Sequence, residues 1–181
     1  MVRGGSRREQ VKGVIADVTL RLLESKSFND IRIDELMKEA GFTKGTFYQY
    51  FDRKESLYEY LIDMAAEKFR MMLTAVDEEA RDPRDAIHLL LTKLYEEKQS
   101  RPTLWKLFVS ALSDMNTLKV RLIHRLWAFV DLWGGKGSYE SGVIFLGTLT
   151  VLWMTSPDEE VHIERLAHML YSAFWCINVQ R

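Results

Sequence analysis

Four side chains in the run from Ile33 to Leu57 carry chemistry suited to a nucleic acid: Lys44, Thr46, Tyr48 and Gln49. A lysine ammonium pairs with a phosphate, and hydroxyl and amide groups hydrogen-bond base edges in a major groove. Leu36, Ala40, Phe42, Phe47 and Phe51 in the same run are spaced to bury together, which leaves those four pointing outward. Gly45 among them has no side chain to hold a backbone away from a duplex. Gly41 follows a short helix, and its freedom at positive φ permits a tight turn there. Thr43 can then cap the next helix. The pattern fits a helix-turn-helix whose second helix would read a groove, while two short helices joined by a glycine turn also occur in proteins that never touch DNA.

No catalytic constellation competes with this one. The chain has no Gly-x-Ser-x-Gly, no phosphate-cradling P-loop and no His-Glu-x-x-His, so nothing in it predicts an enzyme, a metal or a cofactor. His88, His124, His162 and His168 are scattered; Glu164 and His168 share a helix face, but two groups do not make a metal site. The single cysteine, Cys176, excludes an internal disulfide framework and reads as a small core residue. The start of the chain is basic and polar, with no apolar stretch behind it, and the longest near-apolar run, 143–154, is too short to cross a bilayer. A cytoplasmic protein with no membrane partner is expected.

The elements that must position the motif are all helical. At 181 residues, 47% hydrophobic and 28% charged, the chain has the composition of a folded protein with one sizeable core or two small ones. Residues 1–54 hold 11 Lys/Arg and 8 Asp/Glu, a net +3, and residues 55–181 hold 14 and 18, a net −4. A basic face must therefore be local. The three prolines all sit beside helix starts: Asp82-Pro83 and Ser156-Pro157 as caps, Pro102 after a break. Asp52 and Glu55 flank the start of a long apolar stripe as a further capping pair, and Ser138 follows the glycines at 134, 135 and 137 to cap another helix. Apolar spacing predicts helices at 7–25, 33–40, 44–50, 54–76, 83–99, 102–112, 115–133, 138–155 and 158–178. The only strand-like alternation is the short Ile31-Arg32-Ile33. The expected fold is all-α: a three-helix module at 1–52, then a helical bundle domain at 53–181, about nine helices together.

The run Ala40-Gly41-Phe42-Thr43-Lys44-Gly45-Thr46-Phe47-Tyr48-Gln49-Tyr50-Phe51, followed by Lys54-Glu55-Ser56-Leu57, resembles the tetracycline-repressor (TetR) family of bacterial regulators. Arg8-Glu9 and Ser27-Phe28 fall where that family's first helix begins and ends. The resemblance covers about a third of the chain. Two positions depart from it: Met37 stands where a small alanine is usual, and Arg32 where a Ser or Thr usually caps the first motif helix. Arg32 loses the cap but can supply a phosphate contact.

The resemblance implies a DNA interface of Arg32, Thr43, Lys44, Gly45, Thr46, Tyr48, Gln49, Tyr50 and Lys54. Lys44, Tyr50 and Lys54 would hold phosphates, while Thr46, Tyr48 and Gln49 face bases. Spacing alone would also leave Tyr50 half-buried. Arg3, Arg7 and Arg8 form either a DNA-contacting arm or a solvated tail. All five tryptophans lie after position 104, and the resemblance implies an inducer pocket for a small apolar or aromatic ligand among Tyr95, Trp105, Phe108, Trp127 and Trp133, with Arg121, His124 and Glu96 as polar anchors. Read without the resemblance, such aromatic stripes are core. It further implies a homodimer through the last two helices, by one face of Gly142, Leu146, Leu149 and Trp153 and another of Leu166, Leu170, Ala173 and Ile177. The other reading of these faces is that they bury against their own chain. The expected function is a dimeric transcriptional regulator, a repressor released from a pseudo-palindromic double-stranded operator by its ligand. The alternatives are control of the same fold by a protein partner, or activation.

Overall fold

A computed structural model describes residues 7–112, 117–135, 137–155 and 161–175, with the side chains at 117–118, 151–155 and 161–162 left out of the account. The helices in chain order are α1 (Arg7–Leu22), α2 (Ile33–Glu39), α3 (Lys44–Tyr50), α4 (Lys54–Glu79), α5 (Pro83–Ser100), α6 (Pro102–Ala111), α7 (Thr117–Leu132), α8 (Tyr139–Thr155) and α9 (Val161–Trp175). A single 3-10 turn, Phe28–Asp30, precedes α2, and no strand occurs among the described residues. The short Ile31-Arg32-Ile33 alternation is instead an extended link into α2, with Ile31 buried as part of the core. The all-α fold expected from the helical spacing is the one observed.

Several ends are set by the caps that the sequence suggests. Asp82 Oδ1 accepts the Arg84 and Asp85 N–H groups at 2.8 and 2.9 Å, and Asp85 Oδ2 accepts the Arg81 N–H at 3.0 Å. Pro83 at the first turn lacks only a donor that has no helical partner there. Ser138 and Ser141 cap each other's backbone: the Ser141 N–H donates to Ser138 Oγ, and the Ser138 N–H to Ser141 Oγ. The Ser156-Pro157 cap, Cys176, Ile177 and Arg3 lie outside the described residues.

The chain divides into two compact units, residues 1–65 with 103–108, and residues 66–102 with 109–181. The division falls inside α4 rather than at its start, and a segment of α6 joins the first unit. In that unit Ile15, Val18, Ile31, Leu36, Met37, Phe47, Phe51 and Leu57 form one core, with Val11, Leu22, Phe42 and Tyr60 packed against it. In the second unit α7 lies along α8 and α5 along α9. At Gly142 the backbone of α8 comes close to α7: a Cβ there would sit 2.4 Å from the Ile123 carbonyl oxygen. No helix among the described residues is long and apolar enough to cross a membrane.

Candidate nucleic-acid interface

The turn between α2 and α3 is built by backbone geometry that only glycine takes easily. Gly41 adopts φ 76°. Its N–H donates to the Lys38 carbonyl at 3.2 Å, and the Phe42 N–H to the Met37 carbonyl at 2.8 Å. This pair of bonds closes α2 as a Schellman motif, satisfying carbonyls that the helix leaves open. Thr43 follows in extended backbone, and its Oγ1 accepts the Thr46 N–H at 3.3 Å to start α3. Phe47 is fully buried and Phe51 is nearly so, with ring centroids 5.4 Å apart. Met37, the oversized departure, is fully buried in the same core and leaves α2 and α3 packed together.

With Phe47 as its one buried residue, α3 turns its remaining surface outward. Lys44, Gly45, Tyr48 and Gln49 are exposed, and Thr46 is half-buried with its hydroxyl 3.0 Å from that of Thr43. An added Cβ at Gly45 would meet only Thr43 Oγ1, at 3.8 Å. Nothing in the chain itself requires glycine there.

Two lysines around this face are held rather than free. Lys44 Nζ pairs with Asp34 Oδ2 at 3.1 Å, both side chains more than half exposed. Lys54 Nζ donates to the Asn29 carbonyl at 3.0 Å and stands 4.8 Å from the Phe28 ring centroid, so it ties the start of α4 to the 3-10 turn. The Arg8 guanidinium lies 5.9 Å from the centroid of the half-buried Tyr50 ring, which brings α1 to the end of the reading helix. Arg7 is exposed at the start of α1. Arg32 occupies the cap position of α2, exposed and making no side-chain cap bond. The Lys26 ammonium hydrogen-bonds Glu35 and holds its carboxyl below the usual carboxylate range, with Arg32 adding to the effect. The sequence reading missed Asp34, Asn29 and Phe28. Asp34 could have been found from its opposite charge to Lys44; a backbone carbonyl partner 25 residues from Lys54 leaves no trace in a sequence.

The other expected sites fare differently. Trp105 and Phe108 are buried in the first unit, edge to face at 5.3 Å. Tyr95, Glu96, Arg121, His124, Trp127 and Trp133 belong to the second. There Glu96, Arg121 and His124 are exposed, while Tyr95, Trp127 and Trp133 are half-buried. The His124 ring is 5.6 Å from Trp127 and 5.7 Å from Tyr139, and Trp133 Nε1 donates to Asp77 at 3.1 Å. Trp105 and Phe108 thus belong to one unit and the remaining six residues to the other.

The α8 face chosen for dimerisation is corrected outright. Gly142, Leu146 and Leu149 are buried within their own chain, Gly142 against α7, because α8 is apolar on every side and its periodicity does not mark which side is inner. The outward face carries Val143, Ile144 and Gly147, with Val143 42% and Ile144 55% exposed. On α9, Leu170 is buried, Leu166 is half-buried and Ala173 is exposed. The Trp153 side chain lies outside the described residues.

A Schellman turn, a threonine-capped reading helix and a three-helix core define the class: a helix-turn-helix module on a helical domain. Residues 15–61 match the model of the bacterial regulatory proteins of the tetR family. The HTH-type transcriptional regulator EthR of Mycolicibacterium smegmatis is 33% identical over 100 residues, 55% of this chain and 46% of that protein. The uncharacterized HTH-type regulator YuxN of Bacillus subtilis is 31% identical over 83 residues, 46% of this chain and 28% of that protein. The chain therefore spans less than half the length of these curated relatives. A TetR-like regulator from Rhodococcus sp. RHA1 shares the fold at TM-score 0.68 and 16% identity, covering 94% of this chain and 95% of that one. AibR in complex with isovaleryl coenzyme A and operator DNA does so at TM-score 0.64 and 12% identity, covering 90% and 97%. Both curated relatives are named as HTH-type transcriptional regulators.

Proposed function

We propose that the chain is a dimeric, sequence-specific DNA-binding regulator that represses by occupying a pseudo-palindromic operator and lets go when a small ligand binds its helical domain. The observation that carries this reading is the surface of α3. One buried phenylalanine anchors the helix, and a lysine, two polar aromatic or amide side chains and an unobstructed glycine face away from the protein. In a major groove Gln49, Thr46 and Tyr48 would meet base edges, while Lys44 and Tyr50 would meet phosphates on either side. Lys44 must exchange Asp34 for phosphate to do so. Thr43 serves as the cap, and Arg32 adds a further phosphate contact from the start of α2. Lys54 takes a different part, as the clip that fixes α4 on the turn preceding α2.

Two observations support the finer parts. Val143 and Ile144 leave an apolar helix face uncovered in the single chain, which a second copy would bury about a two-fold axis in a four-helix arrangement. AibR, of the same fold, is found with both an acyl coenzyme A and its operator, which supports control by a small ligand. Two reading helices need half-sites about 34 Å apart or a multiple of that distance.

The test is selection of bound duplexes from a random pool. A shared inverted repeat with half-sites one turn apart is expected, and affinity for it should fall steeply with salt. A pool that stays unenriched overturns the reading.

A further inference from the structure

We propose a second ligand site in the helical unit: the cleft between the N-terminal turn of α5 and α9 binds a small anion bearing at least two carboxylate or phosphate groups. The cleft is open to solvent with a volume of about 860 Å³, and Arg81, Arg84, His88, Glu164, Arg165 and His168 line it. Small-molecule sites run from about 300 to 1,000 Å³, so this is room for a metabolite and more than a single ion needs. None of the tryptophans whose side chains are described lines it.

The distribution of donors and acceptors decides the ligand's chemistry. Three guanidiniums face three carboxylates in formal charge, but the carboxylates are partly occupied. Asp82 and Asp85 each spend an oxygen on the backbone N–H groups that open α5. The helix end is thereby capped from within, and the arginines, not the helix, supply the attraction. Among the described residues no carboxylate lies within ion-pair distance of Arg81, Arg84 or Arg165. Each guanidinium offers five N–H donors and no acceptor, in a fork that fits a carboxylate or phosphate bidentately. Arg84 is also steadied, with its guanidinium 5.7 Å from the centroid of the Tyr171 ring on α9. A contact with a ring face still leaves N–H donors of the fork for an oxyanion while reducing the rotamer freedom lost on binding. His88 and His168, both exposed, add one donor each when neutral and two when charged. A cleft rich in donors and poor in free acceptors selects a ligand with several acceptor oxygens. Glu164 is the single lining carboxylate with no hydrogen-bond partner among the described residues, so it works against such a ligand.

The experiment uses the full chain at low ionic strength, titrated calorimetrically with citrate and with pyrophosphate, and with sodium chloride at matched ionic strength. Saturable binding of citrate or pyrophosphate, tighter than about 1 mM and absent with chloride, is the expected result. Binding of one and not the other assigns the carboxylate or the phosphate source. Arg84→Gln/Arg165→Gln should weaken it at least about tenfold. Glu164→Gln should tighten it, a change that damage to the fold would not produce. The unliganded double variant should melt where the wild type does; if it does not, Arg81→Gln and Glu164→Gln, moving affinity in opposite directions, carry the test. The proposal is overturned if neither anion binds saturably, if the arginine variants bind as the wild type does, or if those variants turn a dimer into a monomer, which would make the cleft a surface between chains.

Discussion

Replacing Gly45 with alanine separates what α3 needs to fold from what it needs to meet a duplex. Gly45 is not in the left-handed region, and the new methyl would touch only Thr43 Oγ1 at 3.8 Å, an ordinary contact. The protein alone should therefore gain from the change. Alanine is favoured over glycine in a helix interior by about 0.5–1 kcal/mol, and the first turn puts Gly45 near the lower figure. For a chain of this size that corresponds to a rise of roughly 1–2 °C in Tm. Against DNA the sign reverses. If the α3 backbone approaches the duplex at Gly45, a methyl wedged there costs about 1–3 kcal/mol, as overpacking does in a core, which is a roughly 5- to 150-fold loss of affinity. Because no charge is lost, the salt slope should stay unchanged. Calorimetry gives the first number, and fluorescence anisotropy with the selected duplex at several salt concentrations gives the other two. A Gly45→Ala protein that melts higher and binds with wild-type affinity would refute the close approach and move the groove contact to another part of α3.

Lys44→Ala should weaken all duplexes alike and lower the salt slope by about 1, whereas Lys54→Ala should lower Tm and leave the slope nearly unchanged; a slope change of about 1 for Lys54 would restore it to the phosphate contacts. Gln49→Ala should relax preference at one operator position by about 1–3 kcal/mol, read from competition among single-base variants of the site, and equal weakening of every sequence would remove it from base readout. Ile144→Glu puts a charge into the proposed contact between chains, so sedimentation should show folded monomers with weak operator affinity; a persistent dimer would place the contact elsewhere. Gly142→Ala drives a methyl to 2.4 Å from the Ile123 carbonyl oxygen and should destabilise the chain by about 1–3 kcal/mol in denaturant titrations, with a neutral result meaning that α7 and α8 can part at little cost.

Local signals carried most of the architecture. Asp82-Pro83 fixes the start of α5 by hydrogen bonds to its own neighbours, and Gly41 with Thr43 fixes both sides of the turn within a few residues, so each is readable where it stands. The 3-10 turn at Phe28–Asp30 escaped because it has no apolar period and too few residues to repeat one. The inner and outer sides of α8 were exchanged for a related reason. Leu146 and Ile144 are equally apolar, and only the close approach of Gly142 to Ile123, an event in three dimensions, tells them apart. The aromatic residues show a further limit. Spacing places Trp105 and Trp127 on apolar helix faces, but which core each face joins depends on how the chain divides, and α6 contributes residues to both units.

Gly41 also bears on how the turn can change by mutation. A Cβ at this position would meet nothing within 4 Å, so space is not what holds the glycine; the φ of 76° is. A single-base change in a glycine codon reaches alanine, valine, serine, cysteine, arginine, tryptophan, glutamate or aspartate. Of these, aspartate alone is markedly enriched in the left-handed region, and asparagine, which shares that tolerance, lies two base changes away. Most one-step variants would strain the turn by roughly 1–2 kcal/mol. Reading-helix residues such as Gln49, exposed and without strain, can be exchanged one base at a time. The exposed surface of α3 is thus free to drift, while the turn before it is nearly fixed.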